Sequence, residues 1–223
     1  MENKYILTAG GELYHYGVPG MKWGVRKASK YVAKAQRFRS RQEALAAKGK
    51  TARADKFGEK ADTFQGKANS MAESRYKRAG RNAGSAQYYT DRANEAYKKH
   101  ESGAKVLDKT AKKLESEGKY VRAEASRKAA AALRARGANV RDSHLETANA
   151  YLNRSKNFEK KANEFATKTK INLGKKKIDS IISANKTLGY NAEKRYNDRM
   201  RYEKIRDTVG DKGLNAYRFI TGK

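Results

Sequence analysis

Alanine and aromatic residues alternate along much of the chain with the period of a heptad. Between residues 54 and 71 the apolar positions recur in the order Ala54, Phe57, Ala61, Phe64, Ala68 and Met71. Residues at the first and fourth positions of a heptad share one face of an α-helix. The pattern therefore predicts a helix whose narrow apolar seam packs closely against another helix.

A second seam of the same kind covers residues 148–169. Its members are the small residues Ala148, Ser155, Ala162 and Thr169 and the aromatic residues Tyr151, Phe158 and Phe165. Because both seams alternate a small residue with a large one, we expect the two to pack against each other.

Several glycines fall where an apolar repeat stops, and glycine readily ends a helix. Gly49 and Gly118 occur in two similar stretches, 48–55 and 117–124, each with a leucine four residues before the glycine. These stretches predict the same αα-hairpin turn twice. Further breaks or helix ends are predicted at Gly80, Gly84, Gly137, Gly174 and Gly189.

The first 26 residues follow a different pattern. Residues 5–8 and 12–16 are short β-prone runs separated by Ala9-Gly10-Gly11, which predicts a hairpin. Pro19 and Gly20 then occupy the central positions of a predicted type II turn. The predicted fold class is mainly α: an elongated antiparallel helical bundle of coiled-coil-like hairpins, with a short N-terminal β-hairpin.

These patterns divide the chain into three predicted parts. Residues 1–26 form the hairpin and docking motif, and residues 27–209 form a basic, Ala-rich helical body. Residues 210–223 contain three glycines and are predicted to be an irregular tail. Pro19 and Trp23, the single Pro and Trp of the chain, both lie in the first part.

The large positive charge of the chain predicts an anionic partner. The formal net charge is +28, from 52 Lys and Arg against 24 Asp and Glu, and 31 of 223 residues are Leu, Ile, Val or Phe, too few for a thick core. Nucleic acid is the first candidate partner, since each Lys or Arg that neutralises a phosphate releases a counterion. An anionic membrane surface is the second.

Three local concentrations of basic residues are candidates for phosphate contact. They are Arg37, Arg39 and Arg41, then Lys175, Lys176 and Lys177, then Arg195, Arg199 and Arg201. No helix-turn-helix, zinc or RNA-recognition pattern accompanies them, so we expect contacts to phosphates without base readout. For any one cluster the alternative is an ordinary solvated helix face.

The sequence contains no pattern of catalytic residues. It has no Cys, which excludes disulfides, thiolate metal sites and cysteine nucleophiles. The three His residues lie far apart, none at the i, i+4 spacing of a helical metal pair. Asp and Glu alternate with Lys and Arg at the spacing of helix ion pairs. We therefore predict no enzyme activity, no metal and no cofactor.

No apolar run approaches the ~20 residues that a membrane span requires. The apolar segment near the N-terminus is too short for a signal peptide. We expect the protein to reside in the cytoplasm of the cell that makes it, before any assembly.

The stretch 13–26 concentrates large side chains around a forced turn, as binding hot spots do. The residues predicted to dock on a partner are Tyr14, His15, Tyr16, Gly17, Gly20, Met21, Trp23 and Gly24. The alternative is a small local core that covers the first helix.

Residues 15–26 read His-Tyr-Gly-Val-Pro-Gly-Met-Lys-Trp-Gly-Val-Arg. This stretch resembles the element His-Tyr-Gly-Val-Lys-Gly-Met-Lys-Trp-Gly-Val-Arg of many tailed-bacteriophage structural and head-associated proteins. Pro19 stands where that element usually has a basic residue. The resemblance is confined to this stretch, and it implies a portable docking or packaging element.

The resemblance implies a virion-associated structural protein, made in the host cytoplasm and present in several copies per particle. Docked through its N-terminal motif on other virion proteins, it would place the basic body against packaged DNA or an acidic protein surface. Two alternatives stay open. One is a scaffolding or internal core protein of head assembly, and the other is an early phage protein that binds host nucleic acid or inhibits a host defence factor.

Overall fold

The computed structural model describes residues 5–7, 13–15 and 23–221, with side chains for residues 24–204. The helices of this part of the chain are α1 (Trp23–Ala46), α2 (Thr51–Ser116), α3 (Tyr120–Thr169) and α4 (Lys175–Thr221). The prediction of a mainly helical protein is confirmed.

Two short strands precede the helices. β1 (Tyr5–Leu7) and β2 (Leu13–His15) pair antiparallel, with Ile6 opposite Tyr14. The loop that would join them, residues 8–12, and the predicted type II turn after them lie outside the described residues. The complete hairpin and its turn therefore stay predictions.

The end of α4 differs from the predicted irregular tail. α4 continues to Thr221 and so includes Gly210 and Gly213. Each glycine costs a helix interior about 1 kcal/mol relative to alanine, but the residues around these two include Leu214 and Ala216, which favour helix. The assignment of 210–221 as irregular is wrong in its backbone conformation.

The helices form two compact units, which we describe separately. Unit 1 comprises Met1–Ser74 and Lys161–Gly174, and unit 2 comprises Arg75–Lys160 and Lys175–Lys223. Helices α2 and α3 thus each contribute to both units. This division follows packing within the helical body, so the predicted boundary between head and body at residue 26 stays a prediction.

The two predicted αα-turns are built alike. Gly49 has φ +70° and Gly118 has φ +73°, a conformation that glycine adopts without steric strain. In the first turn the amide of Lys50 donates to the carbonyl of Leu45 at 3.0 Å. In the second turn the amide of Lys119 donates to the carbonyl of Leu114 at 2.9 Å. This bond closes a Schellman motif in both turns, so the predicted shared turn is confirmed.

Unit 1 has a thin core drawn from α1, α2 and the end of α3. Its buried members are Ala28, Val32, Ala68, Ala72, Phe165 and Ile171. Ala68 from the first seam and Phe165 from the second lie in this one cluster, so the predicted meeting of the seams is confirmed there.

Two aromatic residues of the first seam, however, pack on α1. The ring of Phe38 lies 5.9 Å from that of Phe57 and 5.7 Å from that of Phe64, and Tyr31 lies 5.9 Å from Phe64. The tight turn at Gly49 folds α1 back over these rings. The predicted pairing of the whole seam with residues 148–169 is therefore wrong at Phe57 and Phe64.

In unit 2 the contacts between α2 and α3 run in opposite senses along the two helices. The Ser155 hydroxyl donates to the carbonyl of Ala79 at 2.8 Å, and Arg134 Nε donates to Glu101 at 3.1 Å. Helices α2 and α3 are therefore antiparallel here, as the predicted hairpins require.

Interior glycines of unit 2 are contact points between helices. A Cβ atom on Gly84 would overlap the carbonyl oxygen of Lys186, and a Cβ atom on Gly189 would overlap the carbonyl oxygen of Arg81. Helices α2 and α4 therefore touch backbone to backbone, a separation at which only glycine fits.

These contacts overturn the predicted helix breaks. α2 continues through Gly80 and Gly84, α3 through Gly137, and α4 through Gly189. Gly137 lies against the side chain of His100, where a Cβ atom would come within 2.7 Å. Packing across the helices offsets the roughly 1 kcal/mol that each glycine costs its own helix. Of the predicted breaks, only Gly174, with φ +73°, lies between helices.

Two Gly→Ala substitutions in α2 should have opposite effects on stability. Gly66→Ala meets no atom within 4 Å, so we expect the free energy of unfolding to rise by about 0.5–1 kcal/mol. Gly84→Ala forces α2 and α4 apart, and we expect a loss of about 1–3 kcal/mol. Urea unfolding followed by circular dichroism measures both. Equal stabilisation by the two substitutions would contradict backbone contact between α2 and α4.

Candidate nucleic-acid interface

The structure describes half of the predicted docking residues. Tyr14 and His15 lie in β2, and Trp23 and Gly24 begin α1. The other four, Tyr16, Gly17, Gly20 and Met21, lie outside the described residues.

The C-terminal end of the docking motif belongs to the fold of unit 1. Val25 is partly buried against the cluster that contains Ala28 and Phe165. The next residue, Arg26, is exposed. Helix α1 therefore fixes the last residues of the motif on the core of unit 1, and it begins its exposed side with a basic residue.

All nine residues predicted to contact phosphate are exposed. Arg37, Arg39 and Arg41 lie on α1 in unit 1, and the other six lie on α4 in unit 2. The clusters of the two units are therefore considered separately.

The three arginines of α1 do not act as one cluster. Arg39 is two residues from each of its neighbours, about 200° around the helix, and it donates to Asp62 at 2.9 Å. Arg37 and Arg41 are four residues apart on one side of α1. Neither is within 4 Å of an acidic group in the part of the chain that the structure describes.

The two clusters of α4 differ in their surroundings. The first turn of α4 contains Lys175, Lys176 and Lys177 and no acidic residue. Arg199 donates to Glu203 at 2.9 Å, so part of its charge is compensated. Arg195 lies one helical turn before Arg199, and Arg201 lies on another side of the helix.

Grouping basic residues by closeness in the sequence left out three basic residues of α1. Arg26, Lys30 and Lys34 lie on the same side of the helix as Arg37 and Arg41, because steps of three and four residues keep side chains on one face. All five are exposed. The spacing of three and four residues along a helix identifies them. The predicted clusters were chosen instead by the local density of basic residues along the sequence.

Unit 2 contains a polar and aromatic cluster that the sequence did not indicate. Glu193 of α4 accepts hydrogen bonds from the Ser85 hydroxyl at 3.1 Å and the Tyr89 hydroxyl at 3.4 Å, both on α2. The hydroxyl of Tyr151, on α3, lies close enough for the charge of Glu193 to raise its pKa. The rings of Tyr89 and Tyr151 stack at 5.7 Å. Hydrogen bonds to Glu193 therefore link α4 to α2, and the stacked rings link α2 to α3.

The surroundings of this cluster shift the pKa values of its members. Burial raises the pKa of the Tyr151 hydroxyl, and the adjacent Glu193 carboxylate raises it further. Burial lowers the pKa of nearby His144, and the positive charge of Arg92 lowers it further. Tyr151 is thus a hydrogen-bond donor at neutral pH, and His144 is uncharged there.

The polar cluster can cross-link helices. Two hydroxyl groups of α2 donate to Glu193 of α4 and hold these two helices in register. Among the residues that the structure describes, no group of three or more His, Asp or Glu is placed to hold a metal ion. In the same residues, no helix is both long and apolar enough to cross a bilayer.

A family model matches part of the chain. Residues 8–30 are similar to a family of unknown function, DUF7211. The match covers the docking motif and the first residues of α1, and its description assigns no activity. No curated protein and no solved structure matches the chain.

Replacing Tyr151 with Phe should make the free energy of unfolding depend less on pH in the alkaline range. A raised pKa in the folded state means that the Tyr151 hydroxyl stabilises the protein fully below about pH 10, the value for unfolded tyrosine. This contribution is lost as the pH rises through the folded pKa. We expect Tyr151→Phe to cost about 1–2 kcal/mol at pH 8 and less at pH 10.5.

The measurement is urea unfolding of the wild type and the variant at both pH values. Tyr196, which is 60% exposed on α4, provides the matched control, and Tyr196→Phe should change little at either pH. A cost of Tyr151→Phe that grows with pH would contradict the link through Glu193.

Proposed function

We propose that the protein is a virion-associated structural protein of a tailed bacteriophage. It docks through residues 13–26 on another virion protein and holds its basic helices against packaged DNA. The observation that carries the proposal is the continuity of the motif with the first helix. A stretch that resembles an element of phage head-associated proteins runs directly into α1, whose exposed side is basic.

The distribution of charge supports a polyanionic partner. α1 carries seven Lys and Arg against one Glu, and each of α2, α3 and α4 also carries more basic than acidic residues. The excess is thus spread over every helix. Solubility alone does not require a charge of this size, and packaged DNA offers a dense array of phosphates to match it.

The proposed docking uses the N-terminal strands. β1 and β2 would belong to one hairpin, and residues 13–26, which include β2 and the segment after it, would meet the partner. Val25, packed on the core of unit 1, would connect the docked segment firmly to α1. The protein would then be present in several copies per particle, after synthesis in the host cytoplasm.

Mass spectrometry of purified particles tests the proposal. We expect the protein in mature virions and in proheads. Its presence in proheads alone would select a scaffolding or internal core protein, and its absence from both would contradict the proposal and favour an early phage protein.

The variant Trp23→Ala tests whether docking on the particle is independent of DNA binding by the basic helices. We expect the variant to be missing from particles while its affinity for duplex DNA stays near that of the wild type, because Trp23 lies in the motif. Tyr120→Ala, at an aromatic residue that is 69% exposed at the start of α3, is the control and should be incorporated normally. Loss of both incorporation and DNA affinity in Trp23→Ala would show that the motif is a local core and part of the fold.

A further inference from the structure

The α1–α2 hairpin of unit 1 separates its charges onto two sides. Between residues 26 and 70 the chain has thirteen basic and four acidic residues. The acidic residues are Glu43 of α1 and Asp55, Glu59 and Asp62 of α2. Helical spacing places all four on the side where Arg39 pairs with Asp62 at 2.9 Å.

The other side of the hairpin is built over the phenylalanine rings of α2. Lys34 of α1 and Lys67 of α2 place their Nζ atoms 5.2 and 5.4 Å from the centre of the Phe64 ring. The Phe64 ring therefore receives a cation from both helices.

The Phe57 ring, seven residues before Phe64, is contacted in the same way. The Arg41 guanidinium of α1 lies 6.0 Å and Lys60 Nζ of α2 lies 5.5 Å from the centre of this ring. The basic sides of the two helices thus meet along the row of rings. We call this surface the hairpin basic face. Its residues are Arg26, Lys30, Lys34, Arg37 and Arg41 of α1 and Arg53, Lys56, Lys60 and Lys67 of α2, all of them exposed.

Nothing in the described part of the chain compensates this charge. None of the nine side chains lies within 4 Å of an acidic group there. Lys30 is four residues from both Arg26 and Lys34, and like charges at this spacing destabilise a helix. An anion bound on the face relieves that repulsion.

The chemistry of the face favours a phosphate backbone over a membrane. An interfacial helix inserts large apolar side chains beside its cations. The large apolar residues that are exposed among the described residues all lie in unit 2. The face offers cations without such anchors, and hot spots of protein interfaces also need them.

The spacing of the cations fits a continuous row of phosphates. Along α1, steps of three and four residues place successive cations about 4.5–6 Å apart over about 22 Å. Duplex DNA carries one negative charge per ~1.7 Å of its axis, so each of these cations finds a phosphate within reach of its flexible side chain. We propose that the hairpin basic face binds the phosphate backbone of duplex DNA without reading its bases. The inference rests on the proposed function in taking DNA as the partner.

Two variants of equal net charge test the inference. The face variant carries Lys30→Gln, Arg37→Gln, Arg41→Gln and Lys60→Gln. The control variant removes four exposed cations of unit 2 by Lys98→Gln, Lys112→Gln, Arg122→Gln and Lys156→Gln. Binding of the full chain to a fluorescent duplex of about 30 base pairs and arbitrary sequence is followed by anisotropy. The NaCl concentration is varied from about 50 to 200 mM, a range over which phosphate contacts make the affinity fall steeply.

We expect the face variant to bind at least tenfold more weakly at low salt. Its slope of log affinity against log salt should be shallower than that of the wild type by about 3–4, since each lost phosphate contact removes about 0.9. The control variant should keep a slope within about 1 of the wild type. Without DNA, the face variant should unfold at the same or a higher temperature, because four repelling charges are gone.

Equal losses in the two variants would overturn the inference and leave DNA binding as an effect of total charge. The inference would also be overturned if the wild type did not bind the duplex but bound an acidic protein, or vesicles that contain phosphatidylserine. Either result would also contradict the DNA part of the proposed function. Absence from phage particles with the face effect intact would remove the proposed function alone.

Discussion

The fold depends on the close approach of helices through residues that have almost no side chain. Of the twenty buried hydrophobic residues in the part of the chain with described side chains, fifteen are alanine. Gly84 and Gly189 bring two helix backbones into direct contact. Such a contact strip is narrow, so most of the circumference of each helix stays in water. That free circumference allows the helices to carry most of the 52 Lys and Arg of the chain and still pack.

Alanine strips bury little apolar area, at roughly 25 cal/mol per Å², and they do not by themselves fix one register. Larger side chains supply that specificity at separate places. In unit 1 the row of rings from Phe38 to Phe57 and Phe64 sets how α1 lies on α2. In unit 2 the carboxylate of Glu193, which accepts hydrogen bonds from two hydroxyls of α2, sets the position of α4.

The sequence predicted the helices and two of their turns because these depend on local properties. Heptad spacing marks a helix, and a glycine with positive φ ends one, as at Gly49 and Gly118. The same residue type at Gly84 was predicted as a break but serves close packing. Sequence alone does not distinguish the two uses, because the second depends on which helix lies opposite.

The candidate interface was predictable to a similar extent. The spacing from Arg26 to Arg41 places five cations on one side of α1, and it can be read from the sequence. That the basic side of α2 meets them over Phe57 and Phe64 depends on how the hairpin closes. The ion pair of Arg39 with Asp62 also depends on how the hairpin closes. The sequence shows only that Arg39 lies between two other arginines, so it did not predict this pair.

Thermal unfolding as a function of salt tests most directly whether small-residue packing holds these helices against their own charge. Ion pairs such as Arg39–Asp62, with side chains 54% and 72% exposed, lie at exposed sites, and the acidic partners of Arg134 are still 24% and 35% exposed. Pairs that remain in contact with water contribute little. Salt screens the repulsion within a chain of net charge +28. The account predicts a Tm that rises as NaCl is increased. A Tm that falls steadily with salt would contradict it and show that ion pairs, rather than alanine and glycine contacts, hold the helices together.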